Sequence, residues 1–210
     1  MTVTANFDRR LFIWLAIAFI IATVAGTLTH EGGHYFVAKY LGYDAGINYY
    51  STWWALSSAD QLTSPSDNFW FTIGGPMESM LTGTIGLALL FLFRRSFKGE
   101  TKLSFGQWFL IFVSLFWLRQ TANFVGWIGG YVFTRKFSQH GDEIKLAHYL
   151  QLPEWTLVTL TAFIGAIVLT IVIFKFVPVK QRLTFITSGL AGGIAGYMLW
   201  LVWFGKYIMP

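Results

Sequence analysis

Residues 11–34 read LFIWLAIAFIIATVAGTLTHEGGH, and this stretch decides how the rest of the chain is read. Its opening run, 11–28, carries no charge. That is close to the roughly 20 apolar residues a helix needs to cross a bilayer. It leads into Thr29-His30-Glu31-Gly32-Gly33-His34, a His-Glu-x-x-His pattern. On a helix His30 and His34 lie four residues apart and share one face. Two imidazoles so placed can hold a zinc ion from one side, and Glu31, one position round, can reach water at an open coordination place. This is the pattern of metal-assisted hydrolysis, with Glu31 accepting the proton. The plain alternative is two helix histidines bonded to neighbouring spans, with Glu31 beside them by chance. Membrane depth weighs against it, because an ionisable group at the centre of a bilayer costs about 2.5–3.5 kcal/mol on insertion scales and is rare without a function. Three such groups within five residues, at metal-ligand spacing, point to a zinc site.

The composition places the motif in a membrane protein. Of 210 residues, 55% are hydrophobic and 12% charged, which excludes an ordinary soluble domain and a disordered chain. Ten tryptophans, many near the ends of apolar runs, suit the two interfaces. The net charge of +5 is scattered between apolar segments, which fits anionic lipid headgroups and not nucleic acid. With no cysteine, a metal must be held by histidine and carboxylate. Arg9-Arg10 before an apolar run superficially resembles a signal peptide, but the run is long for one and feeds the motif, so an uncleaved first span is expected.

Five runs are long enough to cross a bilayer: 11–28, 69–93, 105–133, 155–176 and 185–208. The expectation is an all-α polytopic protein, residues 1–210 forming a single integral membrane domain. The first helix should continue through Lys39 and stop at Gly42. Gly32 and Gly33 weaken it, and their use would be to let another backbone approach the metal face. Residues 43–55 are rich in Ile, Tyr, Thr and Trp and fit either a short β-hairpin with an open strand edge or a connecting loop. Arg9 and Arg10, Arg94 to Lys102, and Lys175 to Arg182 share the cytoplasmic side on the positive-inside rule. The segment with Asp44, Asp60 and Asp67, and the end of the first helix with it, then faces the other side; Arg135 and Lys136 run against this count.

Polar groups elsewhere in the spans are few. Gly74-Gly75-Pro76 opens the second span, where Pro76 should kink or break the helix. Glu78 follows, with Arg119 of the third span as its expected partner; contact with the metal-bound water or substrate is the alternative. Asn123 serves either packing or the steadying of a carbonyl under attack. The loop 134–154 holds His140, Asp142, Glu143 and His148 ahead of a short amphipathic helix. A zinc ion on two histidines needs one further ligand to leave a single open place. Asp142 is the best placed, with Glu143 and His140 as alternatives, and helix capping is the plain role of Asp142. Ser188-Gly189 and the small residues after it fit a close helix contact.

In order along the chain, the His-Glu motif, Val37-Ala38-Lys39-Tyr40-Leu41-Gly42, a β-like stretch, Gly74-Gly75-Pro76 and Gly141-Asp142 before a short helix resemble the site-2 protease family of membrane-embedded zinc metalloproteases. The resemblance covers about residues 11–152, leaving 153–210 as two additional transmembrane helices. It implies peptide-bond hydrolysis in or beside the membrane, by a bacterial cytoplasmic membrane protein whose partners are the lipid bilayer and a membrane protein or peptide substrate. It also implies His30 and His34 as paired ligands, Glu31 as the catalytic glutamate and Asp142 as the ligand aspartate. The chain departs from the family at Ser79, where asparagine is frequent, and in lacking an Asn-x-x-Pro stretch ahead of Asp142; Asn123 lies far upstream. Two other functions compete: a catalytically inactive protein of the same fold that binds other membrane segments, and a metal-ion carrier. Sparse polar groups in the last two spans weigh against the carrier, and only four histidines against a di-iron oxygenase.

Overall fold

The computed structural model describes residues 7–55 and 64–210, so Asp60 lies outside the described residues. Helix α1 (Arg9–Tyr40) begins where the Asp8 carboxylate accepts the Leu11 N–H, and it runs unbroken through the motif. It ends at Leu41, followed by Gly42 at φ +87, a left-handed turn that glycine takes without steric cost. A two-stranded antiparallel hairpin follows, β1 (Asp44–Ile47) and β2 (Thr52–Ala55), pairing Asp44 with Ala55 and Ile47 with Thr52. Next come α2 (Pro65–Leu92), α3 (Phe105–Thr134), the short α4 (Asp142–Tyr149), α5 (Trp155–Phe176) and α6 (Val179–Ile208). The hairpin and the spans match the sequence reading, except that the second and fifth helices start earlier than the apolar runs. Ser64 caps α2 with Pro65 at its first position, so the polar turn before Phe69 is already helical.

Five of these helices are long and apolar enough to span a membrane, and the chain is a multi-pass helical membrane protein. Large apolar side chains such as Trp14, Ile21, Leu81, Ile85, Phe163 and Leu190 project outward from them. Helix α1 is the central element, packed along α2 on one side and α6 on the other. At α6 the approach is close enough that a side chain on Gly192 would strike the Ala16 carbonyl, which accounts for the small residues there.

Apolar and polar chemistry sort to opposite ends of the bundle. Leu15 and Phe19 of α1 join Leu90, Ile111, Val172 and Phe185 in a buried core around the first half of α1. The second half of α1 faces the start of α2, the end of α3 and the short α4 instead. Of the kink or break expected at Pro76, the break does not occur; α2 continues on both sides of it. A proline lacks the N–H for the ladder and crowds the preceding turn. That turn holds Thr72 and, beside it, Phe71, whose carbonyl reaches out of the helix to α1.

Candidate metal centre

Helix periodicity brings His30, Glu31 and His34 to the buried side of α1, where they are 1%, 5% and 4% exposed. Ligand atoms of the three lie within 4.8 Å of one another, a group that can hold a metal ion. The short helix α4 adds a fourth polar group. Asp142 Oδ2 lies 3.0 Å from His30 Nε2 and 3.3 Å from His34 Nε2. The capping role does not hold: Gly141 is the residue before the helix, and Asp142 is its first residue, its carboxylate turned back to α1.

The other ring nitrogens are already committed. His34 Nδ1 lies 2.7 Å from the Phe71 carbonyl oxygen. The Gly75 N–H is also 3.3 Å from this nitrogen, but a carbonyl only accepts, and the shorter contact puts the proton on Nδ1. His30 Nδ1 lies 3.1 Å from Ser79 Oγ, and that hydroxyl can donate to Glu78 Oε2 at 3.4 Å, leaving its lone pair for the His30 N–H. Neutral imidazoles so bonded present bare lone pairs at both Nε2 atoms. The Asp142 carboxylate turns its Oδ2 toward both of them. Three electron-pair donors therefore converge on one point. Such a set is repulsive without a cation between its members. One shared proton relieves one contact, whereas a metal ion satisfies all three, so these residues could hold a metal ion on nitrogen and oxygen donors.

Glycine keeps this point open. A Cβ on Gly75 would lie 2.6 Å from His30 Nε2 and would also collide with His34 Nε2. One turn away, a side chain on Gly33 would strike the Gly74 carbonyl, so Gly33 gives the close backbone approach expected of it. Gly32 does not; nothing lies within 4 Å of its missing side chain.

Glu31 is held from two sides. Thr52 Oγ1 of β2 lies 2.8 Å from the Glu31 carbonyl and 3.1 Å from Glu31 Oε2. Glu31 Oε1 lies 4.0 Å from Arg119 Nη2. The expected Glu78–Arg119 pair is thus replaced by Glu31–Arg119. Glu78 is satisfied locally instead, accepting from Thr82 Oγ1 at 3.0 Å and facing Ser79, so it acts behind His30. The hairpin also braces the ligands: Trp54 stacks on Phe71 at 4.8 Å, and Phe71 on His34 at 5.0 Å.

The two alternatives to Asp142 are engaged differently. Glu143 is 4% exposed and accepts from Asn123 Nδ2 at 3.2 Å, and burial pushes its carboxyl up from the ordinary value. Asn123 therefore steadies α4 against α3. His140 is exposed on the loop, its backbone N–H bonded to Ser138 Oγ. A cavity of about 840 Å³ opens beside the site and is lined in part by Glu31, His34, Arg119, Asn123, His140 and Asp142. The roles of Thr52, Ser79, Gly75 and the Phe71 carbonyl escape sequence reasoning. Gly33 and the Gly-Gly-Pro triplet signalled in advance that backbone comes close there.

Comparison of the chain with protein-family models, with curated proteins and with solved structures finds no match.

Proposed function

We propose that this protein is an intramembrane zinc metalloprotease that hydrolyses peptide bonds of membrane-spanning or membrane-proximal segments, in the cytoplasmic membrane of a bacterium. The observation that carries the reading is the meeting of His30 Nε2, His34 Nε2 and Asp142 Oδ2 beside Glu31, on the wall of a cavity large enough for an extended peptide. His30, His34 and Asp142 would hold the zinc. Bound there, the ion supplies Lewis acidity, polarising a carbonyl and acidifying water.

The remaining work falls to the chain's own groups. Glu31 takes the proton of the attacking water and passes it to the leaving amide nitrogen, the step a general base of this kind contributes. The Thr52 hydroxyl holds Oε2, so the carboxylate keeps one orientation and Oε1 stays turned toward the Arg119 side. Ser79 and the Phe71 carbonyl fix the imidazole tautomers. A substrate helix must open to expose its amide, and an opened backbone in lipid needs polar partners. The cavity wall supplies them in Ser51, Thr52 and Asn123.

The test is Glu31→Gln, which keeps the size of the side chain and one acceptor oxygen for Thr52 and removes its basicity. Purified mutant should retain wild-type zinc content and lose cleavage of a model membrane substrate by about 10²–10⁴-fold. Cleavage at the wild-type rate overturns the reading.

A further inference from the structure

Arg119 is out of place for a purely structural cation. It sits in the span α3, where a charged group calls for a partner or a task. Among the described residues its one ion-pair contact is Glu31 Oε1, at 4.0 Å the loosest such pair here. Its Nε is buried and has no hydrogen-bond partner. Yet 27% of the side chain is exposed, so the guanidinium is reachable. What it faces is open space on two sides: the 840 Å³ cavity and an adjoining pocket of about 290 Å³ lined by Thr27, Tyr49, Tyr50, Arg119, Tyr197 and Leu201. A guanidinium held by one loose contact at 4.0 Å, walled by tyrosines and a threonine, suits a planar oxyanion that takes two parallel hydrogen bonds from its outer nitrogens.

We propose that Arg119 and this side pocket bind a carboxylate of the substrate, a reading that rests on the metalloprotease assignment. Position sets where on the substrate the carboxylate lies. Thr27, on the pocket wall, precedes Glu31 by four residues on α1, just over one helical turn or about 6 Å. An extended peptide advances about 3.3 Å per residue, so the carboxylate sits one or two residues from the bond that is cut. It is either the C-terminal carboxylate of a trimmed segment or the side chain of an acidic residue beside the cleavage point.

Binding is measured on metal-stripped protein in detergent, so the readout is independent of turnover. One fluorescently labelled apolar peptide is made in three forms: with a free C-terminal carboxylate, with a C-terminal amide, and as the amide with a glutamate near its end. Fluorescence anisotropy should show at least one carboxylate form binding wild type about tenfold or more tighter than the plain amide, and the form that gains identifies the source. Arg119→Met should abolish the difference, while Arg119→Lys, which keeps the charge without the fork, should retain part of it. Equal affinity of all three peptides for wild type, binding by none, or a preference that survives in Arg119→Met overturns the proposal. The wild-type comparison needs no variant to fold. Loss of this preference leaves the zinc and Glu31 tests untouched, and failure of those leaves the peptide result standing.

Discussion

Gly75→Ala is the sharpest probe of the claim that both imidazoles point at one metal position. In a helix the change should help, since alanine is favoured over glycine by about 1 kcal/mol. At Gly75 the added methyl would lie 2.6 Å from His30 Nε2, whereas ordinary contact begins near 3.4 Å, so the two must part by about 0.8 Å. Metal–ligand distances tolerate only about 0.2 Å. The imidazoles cannot swing away freely, because Ser79 and the Phe71 carbonyl hold their Nδ1 atoms. The strain therefore falls on the ligand geometry. Zinc affinity, measured by chelator competition on purified protein, should drop at least 10–100-fold, the range for disturbed outer-sphere support, which is about 1.4–2.8 kcal/mol. Gly32→Ala is the matched control: lying on α1 between the two histidines and in open space, it should leave zinc affinity unchanged and raise thermal stability slightly. Wild-type zinc affinity in Gly75→Ala would refute the reasoning, since the two Nε2 atoms would then not flank the metal.

Three further outcomes separate the neighbouring groups. Asp142→Ala should lose zinc, whereas Glu143→Gln should keep it, because the Glu143 side chain turns to Asn123 and not to the histidines; zinc content by mass spectrometry decides. Thr52→Val should leave zinc bound while lowering the cleavage rate, as Glu31 loses the hydroxyl on Oε2, and equal loss of both would show that Thr52 only supports the fold. Lowering the pH should release the metal as protons compete for the His30 and His34 lone pairs, followed as zinc content against pH; zinc retained after prolonged acid exposure would refute imidazole ligation.

Much of the architecture is legible along the chain. The uncharged run before His30, the Gly42 stop, and the β-rich stretch ending at Ala55 are local signals, and the helices and hairpin follow them closely. The His30–His34 face follows from helical periodicity alone. The long-range pairing is less legible. Glu78 and Arg119 look like partners because each is a lone charge in a span, and only packing shows that Ser79 and Thr82 occupy Glu78 while Arg119 turns to Glu31. Likewise Thr52 reads as an ordinary strand residue until the hairpin folds back over α1.

The linear order of residues by itself determined a membrane-spanning helical protein with two histidines and a glutamate on one helix face, because hydropathy and a 3.6-residue period are properties of short neighbouring stretches. What closes the site was decided only in three dimensions. Asp142 lies more than a hundred positions from His30, and neither its turn back toward the imidazoles nor the gap left by Gly75 is encoded in any local pattern. Both depend on how closely α1, α2 and α4 pack, which is set by the summed fit of side chains drawn from the whole chain.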